Sequence, residues 1–189
     1  MKPMLPLFKL FVASLVLLCG AGSPALSADT PQTLQTVQSL DVPRYMGTWF
    51  EIAKYPNRFQ KQCVRNTTAE YALQKDGTVK VLNRCQLASG EMEEAQGQAR
   101  QVGGVKSPKL EVRFAPAWLS WLPMVWGDYW VVDLDPEYQL VAVSEPSREY
   151  LWVLARTQQV DKAKYDALLQ RLNAKGFDLN RLELMPQGN

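Results

Sequence analysis

The chain has 189 residues, 47% of them hydrophobic and 21% charged, which is typical of one folded domain and excludes a disordered chain. Its 21 lysines and arginines against 19 aspartates and glutamates give a formal net charge of +2, with basic residues too scattered for nucleic-acid binding. The lack of histidine excludes Ser-His-Asp and Cys-His catalysis and histidine-held zinc. No Gly-rich phosphate loop follows a strand and no Cys-x-x-Cys pair is present, so we expect no metal or cofactor.

The first 28 residues have the pattern of a secretory signal peptide. Lys2 and Lys9 precede an apolar run over 10–18, and small residues follow as far as Ala28. Cys19 stands where a bacterial lipoprotein signal has its acylated cysteine, although Leu18 occupies a position where a small residue is expected. Two outcomes therefore stay open, an anchored lipoprotein and a soluble exported protein. We predict a flexible segment over 29–41 and one domain over 42–189.

From Gly47 onward, short β-like runs alternate with turn residues at regular intervals, which is typical of a sandwich or a barrel. Eight strands are predicted, over 47–55, 67–73, 78–84, 96–102, 110–114, 128–134, 140–144 and 151–156. Their mostly short connections favour an all-β fold, an eight-stranded up-and-down antiparallel β-barrel. Closing such a barrel removes the sheet edges and leaves room for one small ligand.

One C-terminal α-helix is predicted after the strands, from Asp161 to about Lys175. Ala163, Leu168, Leu169 and Leu172 gather on one side of it, and Gly176 ends it. A single helix cannot build an α/β sheet, so we expect it to pack on the outside of the barrel.

The two ends of the strand region carry a candidate barrel-closing contact. Gly47 and Trp49 begin the first strand, and Arg156 ends the last. If the sheet closes, the last strand lies beside the first, and the Arg156 guanidinium can lie across the Trp49 indole in a cation–π contact. The alternative for Gly47 and Trp49 is an ordinary strand start.

Three ordered segments carry a resemblance to a known family: Gly47-x-Trp49 with Glu51, then Gly127-Asp128-Tyr129 leading to Leu134-Asp135, and the run 151–156. They resemble the three signature regions of the lipocalin family. The run 44–53 with Asp76-Gly77 is similar to the bacterial lipocalins of the Blc type and to their relative apolipoprotein D. The resemblance covers about residues 42–177.

The resemblance implies an eight-stranded calyx with a helix on its wall and a pocket for a fatty acid, a lysophospholipid or a similar small lipid. It implies binding without turnover. Bacterial members are commonly outer-membrane lipoproteins that face the periplasm and serve lipid storage or transport. For this chain it implies the outer membrane if Cys19 is acylated and the soluble periplasm otherwise.

Cys63 and Cys85 flank a predicted hairpin, and in an exported domain two such cysteines favour a disulfide bond. Two free thiols are the alternative. In that case Cys63 is a candidate nucleophile, and the alternative function is a lipocalin-fold enzyme, an isomerase or a thiol-dependent activity centred on Cys63.

Strand parity, counted from Trp49 and Arg156, assigns a cavity wall that is mostly apolar or aromatic and suits an acyl chain. The predicted wall residues are Glu51, Ala53, Tyr71, Val81, Asn83, Val112, Phe114, Tyr129, Val131, Trp152 and Leu154. A packed core without a ligand, as in a structural envelope protein, is the alternative.

The connection over 115–126 is unusually apolar and contains Trp118, Trp121 and Trp126. In an up-and-down barrel it shares one rim with the connections over 56–66, 85–95 and 145–150, which is the open mouth in lipocalins. Three tryptophans at a rim can cap the ligand, enter a bilayer interface or form a dimer contact. We expect a monomer or a weak homodimer that binds a small lipid and is able to contact a membrane surface.

Overall fold

The computed structural model describes residues 33–188. Its helices are α1 (Val42–Tyr45) and α2 (Lys162–Ala174), and its strands are β1 (Gly47–Lys54), β2 (Cys63–Leu73), β3 (Val79–Leu87), β4 (Met92–Gln101), β5 (Lys109–Arg113), β6 (Gly127–Leu134), β7 (Leu140–Ser144), β8 (Leu151–Ala155) and β9 (Glu183–Leu184). The predicted signal peptide and Cys19 lie outside the described residues.

Strands β1 to β8 form a closed antiparallel barrel. Each strand pairs with the next along the chain, and β8 pairs with β1, where Phe50 lies opposite Ala155. The tight turn between β2 and β3 is made by Gly77, whose φ of 83° is readily adopted by glycine. The predicted eight-stranded up-and-down barrel is therefore confirmed, with β2 and β4 beginning four residues before their predicted starts.

The short strand β9 was not predicted, because two residues carry no recognisable period. It pairs with the end of β1, where Ala53 lies opposite Leu184. Beyond it, the Gln187 side-chain amide donates to the backbone oxygens of Glu51 and Thr67 at 2.7 and 3.0 Å. The end of the chain thus bridges β1 and β2 beyond Phe50, the last β1 residue that pairs with β2.

Helix α2 packs on the outer wall, as predicted. Its N-terminus is capped by Asp161, whose carboxylate accepts from the Lys164 backbone N–H at 3.0 Å. Leu168 and Leu172 are fully buried in an outer core against β6, β7 and β8, whereas Ala163 is exposed. Arg171 donates two hydrogen bonds of 2.8 Å to the Asp133 carboxylate on β6, which fixes the helix against the wall.

The segment over 33–41 packs along the barrel, which does not fit the prediction of a flexible tail over these residues. Leu34 is buried in the outer core and Leu40 in the barrel interior. The Val37 and Leu40 backbone N–H groups donate to the backbone oxygens of Val131 and Lys106 at 3.0 and 2.9 Å. These anchors are long-range contacts that local composition does not reveal.

One end of the barrel is closed, and we call it the floor. Trp49 and Leu40 are fully buried there, and the Arg156 guanidinium carbon lies 3.9 Å from the centre of the Trp49 ring. The Trp49 indole N–H donates to the Tyr45 backbone oxygen at 2.9 Å. Gly47 has a φ of 92°, in the left-handed region where a side chain would strain the backbone. The structure thus brings the three residues of the proposed barrel-closing contact together.

Candidate functional site

The barrel encloses a cavity of about 740 Å³, within the usual size range of small-molecule sites. The floor lies below it. At the other end its lining includes residues from the connections between β1 and β2, β5 and β6, and β7 and β8, among them Phe59, Met124 and Tyr150. We call this end, with the connections over 55–62, 88–91, 114–126 and 145–150, the mouth.

Most of the predicted wall residues lie on this cavity. They are Glu51, Tyr71, Val81, Asn83, Val112, Phe114, Tyr129, Trp152 and Leu154. Eight of them lie on six of the barrel strands, and Phe114 lies just beyond the end of β5. Their side chains are mostly apolar or aromatic. The lining suits an apolar ligand with a small number of polar contacts.

Ala53 lies outside the cavity, so its predicted place on the wall is wrong. The register between β1 and β8 shifts between Glu51 and Ala53, which marks a β-bulge. A bulge inserts one extra residue and reverses the inward and outward faces beyond it. Ala53 is therefore buried in the outer core, next to the side of the barrel that α2 covers.

Val131 points into the barrel but does not line the cavity. It is fully buried in the interior core with Trp49 and Leu40, and its backbone contacts Val37. The parity prediction placed its side chain on the correct face. It missed that the lower part of the barrel is filled by packed side chains, which strand period alone does not indicate.

Several lining residues were not predicted. Four of them share strand parity with predicted wall residues, so the same parity rule could have predicted them: Thr67, Ala69, Val79 and Leu110. Tyr45 on α1 and Gln60 in the 55–62 loop also line the cavity. Neither lies on a strand, so no sequence period indicates it.

The Glu51 carboxylate on this wall is buried and is held in place by a hydrogen bond. The Gln60 amide N–H donates to its Oε2 at 2.8 Å, and the Gln60 amide oxygen in turn accepts from the Trp152 indole N–H at 2.8 Å and from the Asn57 amide at 3.0 Å. Glu51 is only 3% exposed. Burial raises its pKa from 4.5 to about 7, although the Gln60 hydrogen bond and the Lys54 charge act in the opposite direction.

Three tyrosine hydroxyls meet in the lower part of the cavity. The Tyr129 hydroxyl oxygen lies 2.7 Å from that of Tyr45 and 3.0 Å from that of Tyr71. Burial raises the pKa of Tyr71 to about 12 and raises the pKa of Tyr45 and of Tyr129 well above the ordinary value. The three side chains are therefore neutral at physiological pH and bind one another as hydrogen-bonding groups.

Cys63 and Cys85 form a disulfide bond between β2 and β3, with their Cα atoms 5.5 Å apart. The predicted pairing is confirmed. Because Cys63 is not a free thiol in this structure, the alternative of an enzyme centred on it has no nucleophile at that position. In the described range 33–188, no group of three or more His, Cys, Asp or Glu side chains is arranged to hold a metal ion.

The apolar loop over 114–126 presents its tryptophans in two different ways. Trp118 and Trp121 are each 74% exposed and Met124 is 86% exposed. Trp126 is half-buried and lines the cavity, with the Arg100 and Arg113 guanidinium carbons 4.2 and 5.2 Å from the centre of its ring. Trp118 and Trp121 do not line the cavity, whereas Trp126 forms part of its wall. Across residues 33–188, no helix is long and apolar enough to cross a membrane.

A closed antiparallel barrel around one apolar cavity defines a class of proteins that hold small ligands inside a β-barrel. Residues 40–187 match the family model described as a lipocalin-like domain. The chain belongs to the lipocalin family.

Relatives from distant organisms agree with this membership. The chain is 39% identical to temperature-induced lipocalin-1 of Arabidopsis thaliana, over 82% of this chain and 84% of the relative. It is 35% identical to the outer membrane lipoprotein Blc of Vibrio cholerae, over 83% and 88% of the two chains. Apolipoprotein D of Macaca fascicularis is 31% identical, over 80% and 79%. The fold is similar to that of insecticyanin from the tobacco hornworm Manduca sexta, with a TM-score of 0.65, 17% identity and coverage of 82% and 85%.

Proposed function

We propose that this protein is a lipid carrier of the bacterial envelope, which holds a fatty acid, a lysophospholipid or a similar small lipid for storage or transport and for membrane maintenance. The cavity of about 740 Å³ with its mostly apolar lining is the observation that carries the proposal. Each buried CH₂ of an acyl chain contributes roughly 0.8 kcal/mol to binding in such a lining. The relationship to Blc, named an outer membrane lipoprotein in Vibrio cholerae, supports the envelope role.

Ligand binding is tested by titrating the purified protein with fatty acids and lysophospholipids and following tryptophan fluorescence. Trp126 and Trp152 line the cavity and serve as reporters. Native mass spectrometry of protein from its own host, followed by lipid extraction, then identifies the bound species. A barrel that carries no lipid from its host and shows no fluorescence change with either class of lipid would refute the carrier function.

A matched pair of variants shows whether the lipid binds inside the barrel. Val112 is half-buried on the cavity wall, whereas Lys80 is exposed on the outer face of β3. Val112→Trp should reduce lipid affinity at least tenfold by filling the cavity, and Lys80→Trp should leave it unchanged. Equal affinities in two folded variants would place the lipid outside the barrel.

We further propose that the mouth docks on a membrane surface to receive or deliver the lipid. Trp118, Trp121 and Met124 are exposed beside the opening, and tryptophan favours the interface of a bilayer. Co-sedimentation with phosphatidylethanolamine and phosphatidylglycerol vesicles tests this with Trp118→Ser/Trp121→Ser. Leu73→Ser/Val105→Ser removes exposed apolar side chains near the floor and is the control. If the tryptophan variant sediments as well as the parent, docking by this loop is wrong.

We also propose a cell location and an assembly state, and each can be measured directly. Export with acylation of Cys19 places the protein on the periplasmic face of the outer membrane, and cleavage after Ala28 places it in the soluble periplasm. The mass of the mature chain distinguishes the two. We expect a monomer or a weak homodimer, and sedimentation velocity over a range of concentrations checks that expectation.

A further inference from the structure

Three buried side-chain oxygens on adjacent strands of the cavity wall lack a hydrogen-bond partner. They are Glu51 Oε1 on β1, Thr67 Oγ1 on β2 and Asn83 Oδ1 on β3, and none has a partner among the described residues. All three residues line the same cavity. Buried polar groups are almost always paired, so a cluster of three in one cavity points to a ligand that supplies the partners.

The strand register brings these residues to a similar height in the barrel. Phe50 pairs with Thr68, which places the next residue of β1, Glu51, near the level of Thr67. Ala69, two residues beyond Thr67 toward the floor, pairs with Asn83. Asn83 therefore lies two residues closer to the floor than Thr67, on the neighbouring strand. The three oxygens therefore form a polar belt on an otherwise largely apolar wall, between the mouth and the tyrosine cluster.

The Glu51 side chain is held in place while one of its oxygens remains unpaired. Gln60 occupies Oε2, and no described basic side chain forms a salt bridge with the carboxylate. The charge of Lys54 acts on Glu51, but the Lys54 ammonium nitrogen lies 3.6 Å from the Glu183 carboxylate oxygen Oε2 and pairs with that group. Tyr71 on β2 is titratable, and Leu154, which pairs with Glu51 from β8, is apolar. The belt thus offers hydrogen-bond acceptors beside an acidic group.

We propose that Glu51, Thr67 and Asn83 form a subsite that selects lipids with hydroxyl or ammonium donors at their polar end and disfavours lipids with an anionic, acceptor-only end. A donor group satisfies all three oxygens. A carboxylate or sulfate can accept only from the Thr67 hydroxyl, leaves the Glu51 and Asn83 oxygens unpaired and is repelled by Glu51. The inference rests on the proposed lipid carriage and narrows its ligand class. It favours lysophospholipids and monoacylglycerols, which carry a free glycerol hydroxyl, over fatty acids.

The test compares two lipids with the same twelve-carbon chain, 1-monolauroylglycerol and dodecyl sulfate, each below its micellar concentration and measured by tryptophan fluorescence at pH 8. We expect the parent to bind monolauroylglycerol at least about tenfold more tightly. Glu51→Gln should reduce this preference about tenfold, mainly through tighter binding of dodecyl sulfate, because the neutral amide removes the repulsion and adds a donor. Glu137→Gln, at an exposed turn near the floor, makes the same charge change and should preserve the preference.

Two further readouts separate a role in selection from a role in folding. Dodecyl sulfate stays anionic at pH 5.5, so the preference of the parent should shrink as Glu51 gains a proton, while that of Glu51→Gln should not change. Thr67→Val keeps the side-chain shape, removes one hydrogen-bonding hydroxyl from the subsite and should weaken monolauroylglycerol binding about fivefold.

The outcomes also separate this inference from the carrier function. A parent that binds both lipids equally, or a Glu51→Gln variant that keeps the full preference, overturns the subsite and leaves lipid carriage standing. If the parent binds neither of these two lipids and no other acyl lipid, the carrier function and the subsite are refuted together.

Discussion

The Arg156 guanidinium lies against the face of the Trp49 indole, with its central carbon 3.9 Å from the ring centre, at the floor of the barrel. Its two terminal nitrogens donate to the backbone oxygens of Thr48 and Arg44 at 2.9 and 3.0 Å. One side chain thereby joins the end of β8 to the start of β1 and to α1. Because β1 and β8 are the strands whose pairing closes the sheet, this residue acts where closure is completed.

We predict that Arg156→Met lowers the free energy of unfolding by about 2 kcal/mol, because it removes the cation–π contact and the guanidinium hydrogen bonds, including a third one from Nε to the Tyr138 backbone oxygen at 3.3 Å. Arg156→Lys keeps the charge but not the planar fork, so it should recover only part of the loss. Urea denaturation at neutral pH measures the effect. Arg181→Met removes an arginine that lies 4.3 Å over Tyr55 outside the barrel and is the control. Equal losses in Arg156→Met and Arg181→Met would contradict a special role at the floor.

The raised pKa of Glu51 predicts a pH dependence of stability. Its pKa is about 7 in the folded protein against an ordinary value of 4.5, so the folded state binds the proton more tightly than the unfolded state. The folded protein should therefore lose stability as the pH rises from about 4.5 to about 7, by up to about 3 kcal/mol. Glu51→Gln should remove most of this slope and be the more stable protein at pH 8.

Urea denaturation of the parent, Glu51→Gln and Glu137→Gln at pH 5 and pH 8 checks this prediction. The Glu137 carboxyl is exposed, so its variant should follow the parent. If the parent and Glu51→Gln lose the same stability between the two pH values, the buried carboxyl of Glu51 does not carry the effect.

Strand period accounts for most of the fold and much of the cavity wall. Tyr71, Val81 and Trp152 alternate with outward residues on regular strands, so counting by two places them on the wall. The same rule fails at Ala53, because a bulge follows Glu51 and no residue type marks it. It is also silent on Gln60, whose position depends on the path of a loop.

Neither the direction of the tryptophan loop nor the packing of residues 33–41 could be predicted from the sequence, for a related reason. Both depend on contacts between distant parts of the chain, such as those of Trp126 with Arg100 and of Leu40 with Lys106. An apolar loop indicates that a partner exists but not whether the partner is the barrel or an external surface. Trp118 and Trp121 are exposed, so an external surface is the partner that the membrane-docking proposal gives them.

The Cys63–Cys85 disulfide should contribute to stability by limiting the unfolded chain. It closes a loop with a sequence separation of 22 residues, for which loop entropy predicts about 3 kcal/mol. Cys63→Ser/Cys85→Ser should lose about this much, and reductant should destabilise the parent by the same amount without affecting the variant. A parent whose denaturation curve is unchanged by full reduction would contradict the prediction.

Gly97 on β4 allows the wall near the mouth to pack closely. A Cβ built at this position would lie 2.8 Å from the Arg113 backbone oxygen and 2.8 Å from the Phe114 ring, which lines the cavity. The carbonyl belongs to the backbone and cannot swing aside, so Gly97→Ala must displace β4 or β5. We expect a loss of roughly 1–3 kcal/mol in the free energy of unfolding, typical of overpacking.

A second strand glycine supplies the control for this prediction. Gly127 lies on β6, on the other side of β5, and its nearest contact for an added Cβ is the Val112 backbone oxygen at 3.8 Å, an ordinary van der Waals distance. Gly127→Ala should therefore be neutral or slightly stabilising, because alanine restricts the unfolded chain without strain in the folded one. Urea denaturation of both variants measures the difference. If Gly97→Ala is as stable as Gly127→Ala, the strands have relaxed around the methyl group, and the close approach of Gly97 to β5 is not required for the fold.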